Sequence, residues 1–578
     1  GLPAVALTDT GNLHGAVEFV QAAQAAGIKP ILGAELTVGD QPLLLYVESA
    51  RGYHNLCRLL SAKAAGGRVK DEGSVADRQR APLTAAFLQQ HSHLLGGLIA
   101  VGADPALAGL FPRAFYRLVT ARDMPADFPA VAAPAIHYAR PADRVKYDLV
   151  QSIRTLTLLR ERHPEKRAGG KLHFRSPAEL AAACREHPEW VRHSVEIAER
   201  CEFTFPFGKP QFPDFQPPDG STAHAFLRQL VMAGLHRRYG ERAARFAPQV
   251  EEELRIIAAV GYEAYFLVVW DLLQACQAQG IGWITRGSAA DSLVCYCLGI
   301  SEVCPIRFDL YFKRFLNPER MALNKLPDID VDFPHDRKDD VVQLLFAKYG
   351  PAQCAVVGGF STFQARSAFA EVAKVLGVAE RDVRKFTEHF PWGFGGGWVP
   401  DEPAPKGGQE LIELLRARPE TRELPFDQEP YKTALAMAAF LDGVPRHPKM
   451  HPCGVVLSCQ PMHELTPTFV SNKGLPTTHY DMDAVELIGL VKLDILAQGG
   501  LAVMRDAIQA IQRGRELPES NPGEAASVSP DSCLPTSDFS DPHVWEMIAS
   551  GGARAVHHIE SPAMISLCRM TNVREIHG

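Results

Sequence analysis

The chain has 578 residues, 46% hydrophobic and 22% charged, with a formal net charge of −7. That is an ordinary globular composition, long enough for three or four domains with full cores. No stretch of about 18 or more uncharged apolar residues occurs, so no transmembrane helix is expected. Twelve cysteines without a single CxxC pair are not a disulfide framework, and they read as buried, reduced thiols of a cytoplasmic protein. The acidic balance does not advertise a nucleic-acid binder, but local basic patches decide that question, not the sum.

The first part of the chain, to about residue 150, alternates strand-like and helix-like stretches. PAVALT reads as a strand, AVEFVQAAQAAG as a helix ended by Gly27, and KPILGAELTV and PLLLYV as two further strands. This rhythm implies an α/β domain. Arg68–Gln79 reads as a polar loop. From about 175 to 280 the pattern turns helical, with apolar residues at helical spacing over Gln249–Val260 and Tyr262–Gln277. Residues 281–361 and 442–500 read as mixed α/β. Between them, Ala365–Phe390 reads as helical, with basic residues Arg366, Lys374, Arg381, Arg384 and Lys385, followed by the Gly/Pro-rich loop GFGGGWVPDEPAPKGG. Gly514–Pro542 has the composition of a connector, and His543–Gly578 is helical again. The chain opens at Gly1 inside a strand-like stretch, without Met, and stops without a closing signal, so it reads as truncated at both ends.

Three motifs carry chemistry. In PDIDVDF, Pro327–Phe333, aspartate alternates with apolar residues. Successive side chains of a strand point to opposite faces, so Asp328, Asp330 and Asp332 share one face and Ile329, Val331 and Phe333 the other. Like charges so crowded raise one another's pKa unless something positive neutralises them. Hard oxygen ligands on one element suit Mg²⁺, and two such ions about 4 Å apart serve in-line displacement at phosphorus. A solvated edge strand is the plainer alternative, and an apolar opposite face argues against it. Upstream, in TRGSAADSLVCYCLG, Gly287 and Ser288 precede an apolar helical run ending at Gly299. This reads as a turn feeding a helix N-terminus, where free N–H groups favour a phosphate, with Arg286 adding charge. Downstream, in ELIGLVKLDIL, Lys492 and Asp494 share a strand face opposite Val491, Leu493 and Ile495.

In these motifs the chain resembles the bacterial C-family DNA polymerases, the alpha subunit of DNA polymerase III and its error-prone relatives. The matching blocks are RGSAADSLVCYCLGI, FKRFLNPER, PDIDVDF, RHPKMHPCGVV, GLVKLDIL and ARAVHHIESPAMISL, in the family's order. The resemblance implies an α/β multidomain fold: a degenerate PHP-type domain over 1–165, a DNA polymerase beta-like nucleotidyltransferase palm over 166–361, with a preceding helical segment, and 442–500, a helical thumb over 362–441 and the start of the fingers from 501 to 578. It implies a DNA-directed DNA polymerase that uses two Mg²⁺ ions held by Asp328, Asp330 and Asp494. Its nucleotide contacts match Arg286, Gly287, Ser288, Arg314 and Lys492, and its DNA contacts match Arg366 and His451. The implied partners are primer-template DNA, dNTPs, and a sliding clamp with other replisome or translesion subunits. The implied location is the cytoplasm.

The front domain resembles the polymerase-and-histidinol-phosphatase (PHP) domain of the same enzymes, with its ligand pattern broken. Thr10 stands where a His is expected, Ala135 replaces an acid and Ala103 a Cys, while Asp9, Glu35 and His137 remain. Three scattered ligands make a poor transition-metal site, so a structural role is expected. His14 and His54 read as surface histidines. Two competing functions are kept: a metal-dependent phosphoesterase or exonuclease run by the front domain, and a DNA-binding paralogue without chemistry.

Overall fold

A computed structural model describes residues 2–66, 75–119, 128–166, 170–208, 211, 214–317, 328–388, 413, 416–417, 419, 421–422, 424–515, 541–554, 556 and 559–575. The chain divides into two units, one of residues 1–207, 355–451 and 460–488, the other of residues 208–354, 452–459 and 489–578.

The first unit opens with a six-stranded sheet of order β1-β2-β3-β4-β5-β6: β1 Ala4–Thr10, β2 Lys29–Val38, β3 Gln41–Val47, β4 Leu98–Gly102, β5 Phe115–Leu118 and β6 Ala130–Val131. The expected strand-helix-strand opening is present. β1 pairs parallel with β2 from Ala4↔Lys29 to Thr10↔Glu35, across the helix Ala16–Ala25. Gly27 stops that helix: it takes φ +68°, which costs glycine nothing, and lets the Ile28 N–H reach back to the Ala23 carbonyl at 2.9 Å. β4 is buried at all five residues, as the middle of a two-sided layer must be.

Two expectations fail in this unit. Val75–Arg80, the second half of the expected polar loop, is a helix, and Gln79 on it is buried. The reason is His14, which is not a surface residue. Its ring stacks on His479 at 4.4 Å, and one ring nitrogen lies 2.7 Å from the His479 carbonyl. The Gln79 amide nitrogen reaches Nε2 of both imidazoles, at 3.1 and 3.2 Å. Such polar groups are tolerated inside only when paired, and the polar run turns the neutral amide of Gln79 inward to do it, while Asp77 and Arg80 stay exposed. His54, by contrast, is half-buried. Burial lowers the pKa of His14 and, more strongly, of His479. A base whose folded pKa is depressed binds its proton more tightly unfolded, so this stability is lost as pH falls through 6.5. The unfolding midpoint of the wild-type chain is expected to drop between pH 7.5 and 5.5 more than that of His479→Phe, as thermal scans at both pH values would measure.

The same unit carries a helical core in which Leu149, Phe363, Phe369, Phe386, Phe426, Leu435 and Leu441 are buried. The segment expected to be helical is so, as two helices, Ala365–Val375 and Glu380–Thr387, broken at Gly377, which has φ +93°. The bend lets Phe386 stack on Phe369 at 4.6 Å and on Tyr431 at 5.0 Å.

The remaining strands are β7 Ile284–Arg286, β8 Asp330–Pro334, β9 Cys354–Thr362, β10 Pro445–Leu457, β11 Thr468–Val470, β12 Pro476–Thr478 and β13 Val491–Gln498. In the first unit β11 pairs antiparallel with β12, and β12 parallel with β9. In the second unit the order is β10-β13-β8-β7, with only β13 and β8 parallel. The helices Ala243–Ala259 and Glu263–Ala278 supply its apolar packing, with Tyr262, Tyr265, Phe266 and Leu267 fully buried. The last segment is two helices, Pro542–Ser550 and Pro562–Thr571. Nearly all of the Gly/Pro-rich loop and the connector Gly514–Pro542 lie outside the described residues. No single described helix is long and apolar enough to cross a membrane. The described cysteines are free, with Cys295 and Cys297 buried in the helix Leu293–Leu298.

Candidate active site

The apolar residues read in PDIDVDF as a buried face are buried, and Asp332 is buried with them. Ile329, Val331 and Phe333 are 1%, 5% and 0% exposed. Burying three such side chains stabilises the unit by about 1.5–3 kcal/mol each, enough to hold a strand whose other face is repulsive. A one-residue slip would exchange the faces, so the register is strongly specified. The strand itself begins at Asp330, and Asp328 sits exposed just before it.

β8 is flanked on both sides by chemistry. The register places Asp330 opposite Asp494 on β13 and opposite Arg286 on β7. Carboxylate oxygens of Asp328, Asp330 and Asp494 all lie within 4.8 Å of one another, the only such group of metal-ligand side chains among the described residues. Asp332 does not join them, and its carboxylate lies 3.5 Å from the Arg286 guanidinium. Lys492 Nζ is 2.7 Å from Asp494 and 3.8 Å from Asp328.

Burial first, then the charges of Asp328 and Asp494, raise the pKa of Asp330, against the pull of Arg286 and Lys492. For Lys492, burial lowers the pKa, but the hydrogen bond and charge of Asp494 and the charges of Asp328 and Asp330 outweigh it, and the net shift is upward. The site is therefore short of positive charge. One oxygen of Asp494 is buried and, among the described residues, has no hydrogen-bond partner. A buried orphan carboxylate oxygen beside two other carboxylates fits a hard divalent cation, which takes oxygen ligands and keeps some of its water. Lys492 alone does not satisfy all three acids.

Gly287 and Ser288 open a 3-10 turn, Gly287–Asp291, directly after β7. Gly287 has φ +70°, and a Cβ there would meet the Asp330 carboxylate at 3.6 Å. Space would allow a side chain, but the left-handed backbone favours glycine. Arg314 is exposed and forks onto buried Asp291, at 2.6 and 3.1 Å, which ties it to this turn.

The helix N-terminus expected to cradle a phosphate is already filled. Its N-cap is Ser292, not Ser288, and the buried Glu253 carboxylate accepts the N–H groups of Leu293 at 3.2 Å and Val294 at 3.0 Å, and the Ser292 hydroxyl at 3.0 Å. An internal carboxylate thus holds the anion position at that dipole, and the helix Leu293–Leu298 is only six residues long. What faces Asp330 is the turn Gly287–Asp291 itself.

The two DNA-contact candidates belong to the first unit. Arg366 is exposed on the first turn of the helix Ala365–Val375, and His451 is half-buried on β10. The three remaining front-domain positions, Asp9, Glu35 and His137, line one cavity of about 1340 Å³ without converging as ligands. Burial raises the pKa of Asp9, and the charge of Arg80, on the same cavity wall, opposes it.

Sequence reasoning missed Glu253, Asp291 and Tyr265. Glu253 left a signal: it shares an apolar stripe with Val250, Leu254 and Ile257, where an acid has no business unless paired. Tyr265 left none, since a tyrosine within YFLVVW reads as core.

Residues 225–497 match the family model of the bacterial DNA polymerase III alpha NTPase domain, and residues 1–140 that of the PHP domain. The chain is 34% identical over 613 residues to an error-prone DNA polymerase of Symbiobacterium thermophilum, covering 98% of this chain and 53% of that protein. It is 30% identical over 604 residues to a DNA polymerase III subunit alpha of Bacillus subtilis, covering 98% and 51%. It is 32% identical over 606 residues to an error-prone DNA polymerase of Pseudomonas syringae pv. tomato, covering 98% and 54%. The chain thus spans about half the length of the curated relatives it matches. Two domain matches, the acidic cluster inside one of them, and likeness along 98% of the chain agree: the chain carries a PHP domain and a bacterial DNA polymerase III alpha NTPase domain, and along nearly its whole length it is similar to DNA polymerase III alpha subunits and error-prone DNA polymerases.

Proposed function

We propose that the chain carries the catalytic centre of a template-directed DNA polymerase, joining dNTPs to a primer 3′-hydroxyl with release of pyrophosphate. The observation that carries this is the convergence of Asp328, Asp330 and Asp494 within 4.8 Å, with an orphaned Asp494 oxygen between strands whose register brings the acids together. In this reading the three carboxylates hold two Mg²⁺ ions, which supply a lowered pKa at the primer hydroxyl and charge neutralisation on the triphosphate. The rest is the work of this chain's own residues. Lys492 lies against Asp494 and turns toward the phosphates. Arg286, Gly287, Ser288 and Arg314 lie on or beside the turn next to Asp330 and orient the triphosphate by charge and backbone N–H. Arg366 and His451 contact DNA backbone, which positions the duplex without reading sequence.

The finer domain reading follows the same proposal: residues 1–165 as the degenerate PHP-like part, 166–361 as a helical segment and the first part of the palm, 442–500 as its second part, 362–441 as thumb and 501–578 as the start of the fingers. The partners are primer-template DNA, dNTPs, a clamp and further replisome or translesion subunits, in the cytoplasm. Primer extension by this chain, and by the longest natural protein that contains it, is expected to require Mg²⁺ and to stop on its chelation. Extension that persists after chelation ends the proposal. A metal-dependent phosphatase or exonuclease activity that survives loss of the acidic cluster would return the chemistry to the front domain.

A further inference from the structure

The parallel ladder of β13 and β8 begins at Asp494↔Asp330 and runs to Gln498↔Pro334. Continued two residues back, the same offset pairs Lys492 with Asp328, and the parallel pattern would join the Ile329 N–H to the Lys492 carbonyl. That rung is not made directly. The Tyr265 hydroxyl stands in it, accepting from the Ile329 N–H at 3.0 Å and donating to the Lys492 carbonyl at 3.2 Å. Tyr265 is fully buried on the helix Glu263–Ala278, its ring edge-to-face with Tyr262 at 5.5 Å. Both hydrogen bonds fall on backbone atoms directly beside side chains of the acidic cluster.

We propose that Tyr265 is a positioning residue for the acidic site, a hydroxyl wedge that holds β8 and β13 one oxygen apart where they carry Asp328 and Lys492. Below the wedge, direct ladder bonds keep Asp330 against Asp494. Above it the pairing ends, and Asp328 stands 3.8 Å from the Lys492 ammonium, against 2.7 Å for Asp494. The opening between Asp328 and Asp494 is thereby set from behind the sheet, by a side chain that touches no ligand. A buried phenol satisfied on both sides is rigid, because releasing it strands an N–H and a carbonyl out of water. The role deepens the polymerase reading and rests on it.

The test is Mn²⁺ titration of the 578-residue chain, followed by electron paramagnetic resonance, with wild type, Asp330→Asn and Tyr265→Phe. Tyr265→Phe keeps the ring and is expected to weaken Mn²⁺ binding about ten- to a hundred-fold, as loss of groups that orient metal ligands does. In metal-free protein the same change is expected to speed hydrogen exchange at the Ile329 amide while the ladder below Asp330 stays protected. In an Asp328→Asn background Tyr265→Phe should cost little further affinity, because its effect runs through Asp328. Unchanged Mn²⁺ affinity in Tyr265→Phe overturns the proposal, as does an equal loss with and without Asp328. A wild type that binds no Mn²⁺, or binds it as well in Asp330→Asn, refutes the polymerase-site reading instead. Should Tyr265→Phe not fold, 3-fluorotyrosine at position 265, which strengthens the phenol as donor and weakens it as acceptor, gives the same reading: a shifted Mn²⁺ affinity supports the wedge and an unshifted one refutes it.

Discussion

Asp330→Asn is expected to abolish Mg²⁺-dependent primer extension, by about a hundred- to a thousand-fold or more. The carboxylate is central in the cluster: its register neighbours are Asp494 on one side and Arg286 on the other, and its pKa is raised by burial and by the two flanking acids. Replacing it with a neutral amide removes a hard anionic ligand at nearly constant volume, and a bound divalent ion contributes several kcal/mol of transition-state charge stabilisation. At 1.36 kcal/mol for each tenfold in rate, several kcal/mol is the loss stated. Stability should move the other way. With one fewer negative charge between Asp328 and Asp494, the metal-free chain is expected to unfold at the same or a slightly higher temperature. Extension at wild-type rate by Asp330→Asn would remove it from the chemistry.

Glu253→Ala is expected to cost about 3 kcal/mol of stability in urea unfolding. The substitution strands two backbone N–H groups and a serine hydroxyl in the interior, and each buried unsatisfied group costs about 1–3 kcal/mol. The loss of the buried charge offsets part of that sum. Activity should fall with stability, because the helix Leu293–Leu298 follows directly on the turn Gly287–Asp291 that lies beside Asp330. The pH dependence distinguishes this mechanism from simple loss of packing. Burial pushes the Glu253 carboxyl up from 4.5 to about 7, against the pull of its hydrogen-bond donors. An acid whose folded pKa is raised holds its proton more tightly when folded, so its ionisation weakens the fold as pH rises from 4.5 to 7, and the cost is complete above that. As pH falls from 7.5 to 5.5, protonation of this group stabilises the wild type, and the increment is absent in Glu253→Gln. It opposes the loss from the His14–His479 pair over the same range, so each is read from its own variant.

Much of the fold was legible because it is local. The strand-helix-strand opening follows from period-2 and period-3.6 patterns and a glycine stop at Gly27, and the faces of PDIDVDF follow from strand geometry alone. Where the reading failed, long-range partners overrode local character. The polar run before Arg80 became helix because Gln79 satisfies imidazoles of His14 and His479, and the latter is 400 positions away. The helix N-terminus looked free because its acceptor, Glu253, lies about 40 residues upstream.

The sequence by itself determined which residue types are available to the site: three alternating acids with a buried apolar back, a glycine-serine bend, and a lysine and aspartate on one strand face. Only the tertiary structure decided which acids meet. Asp332 turns to Arg286 while Asp328 and Asp330 turn to Asp494, because β13 pairs with β8 in one register and β7 pairs with it on the other side. Side-chain direction is a property of two consecutive residues and can be read from the chain, whereas proximity between strands 164 positions apart depends on the pairing, and the pairing is chosen by everything packed around it.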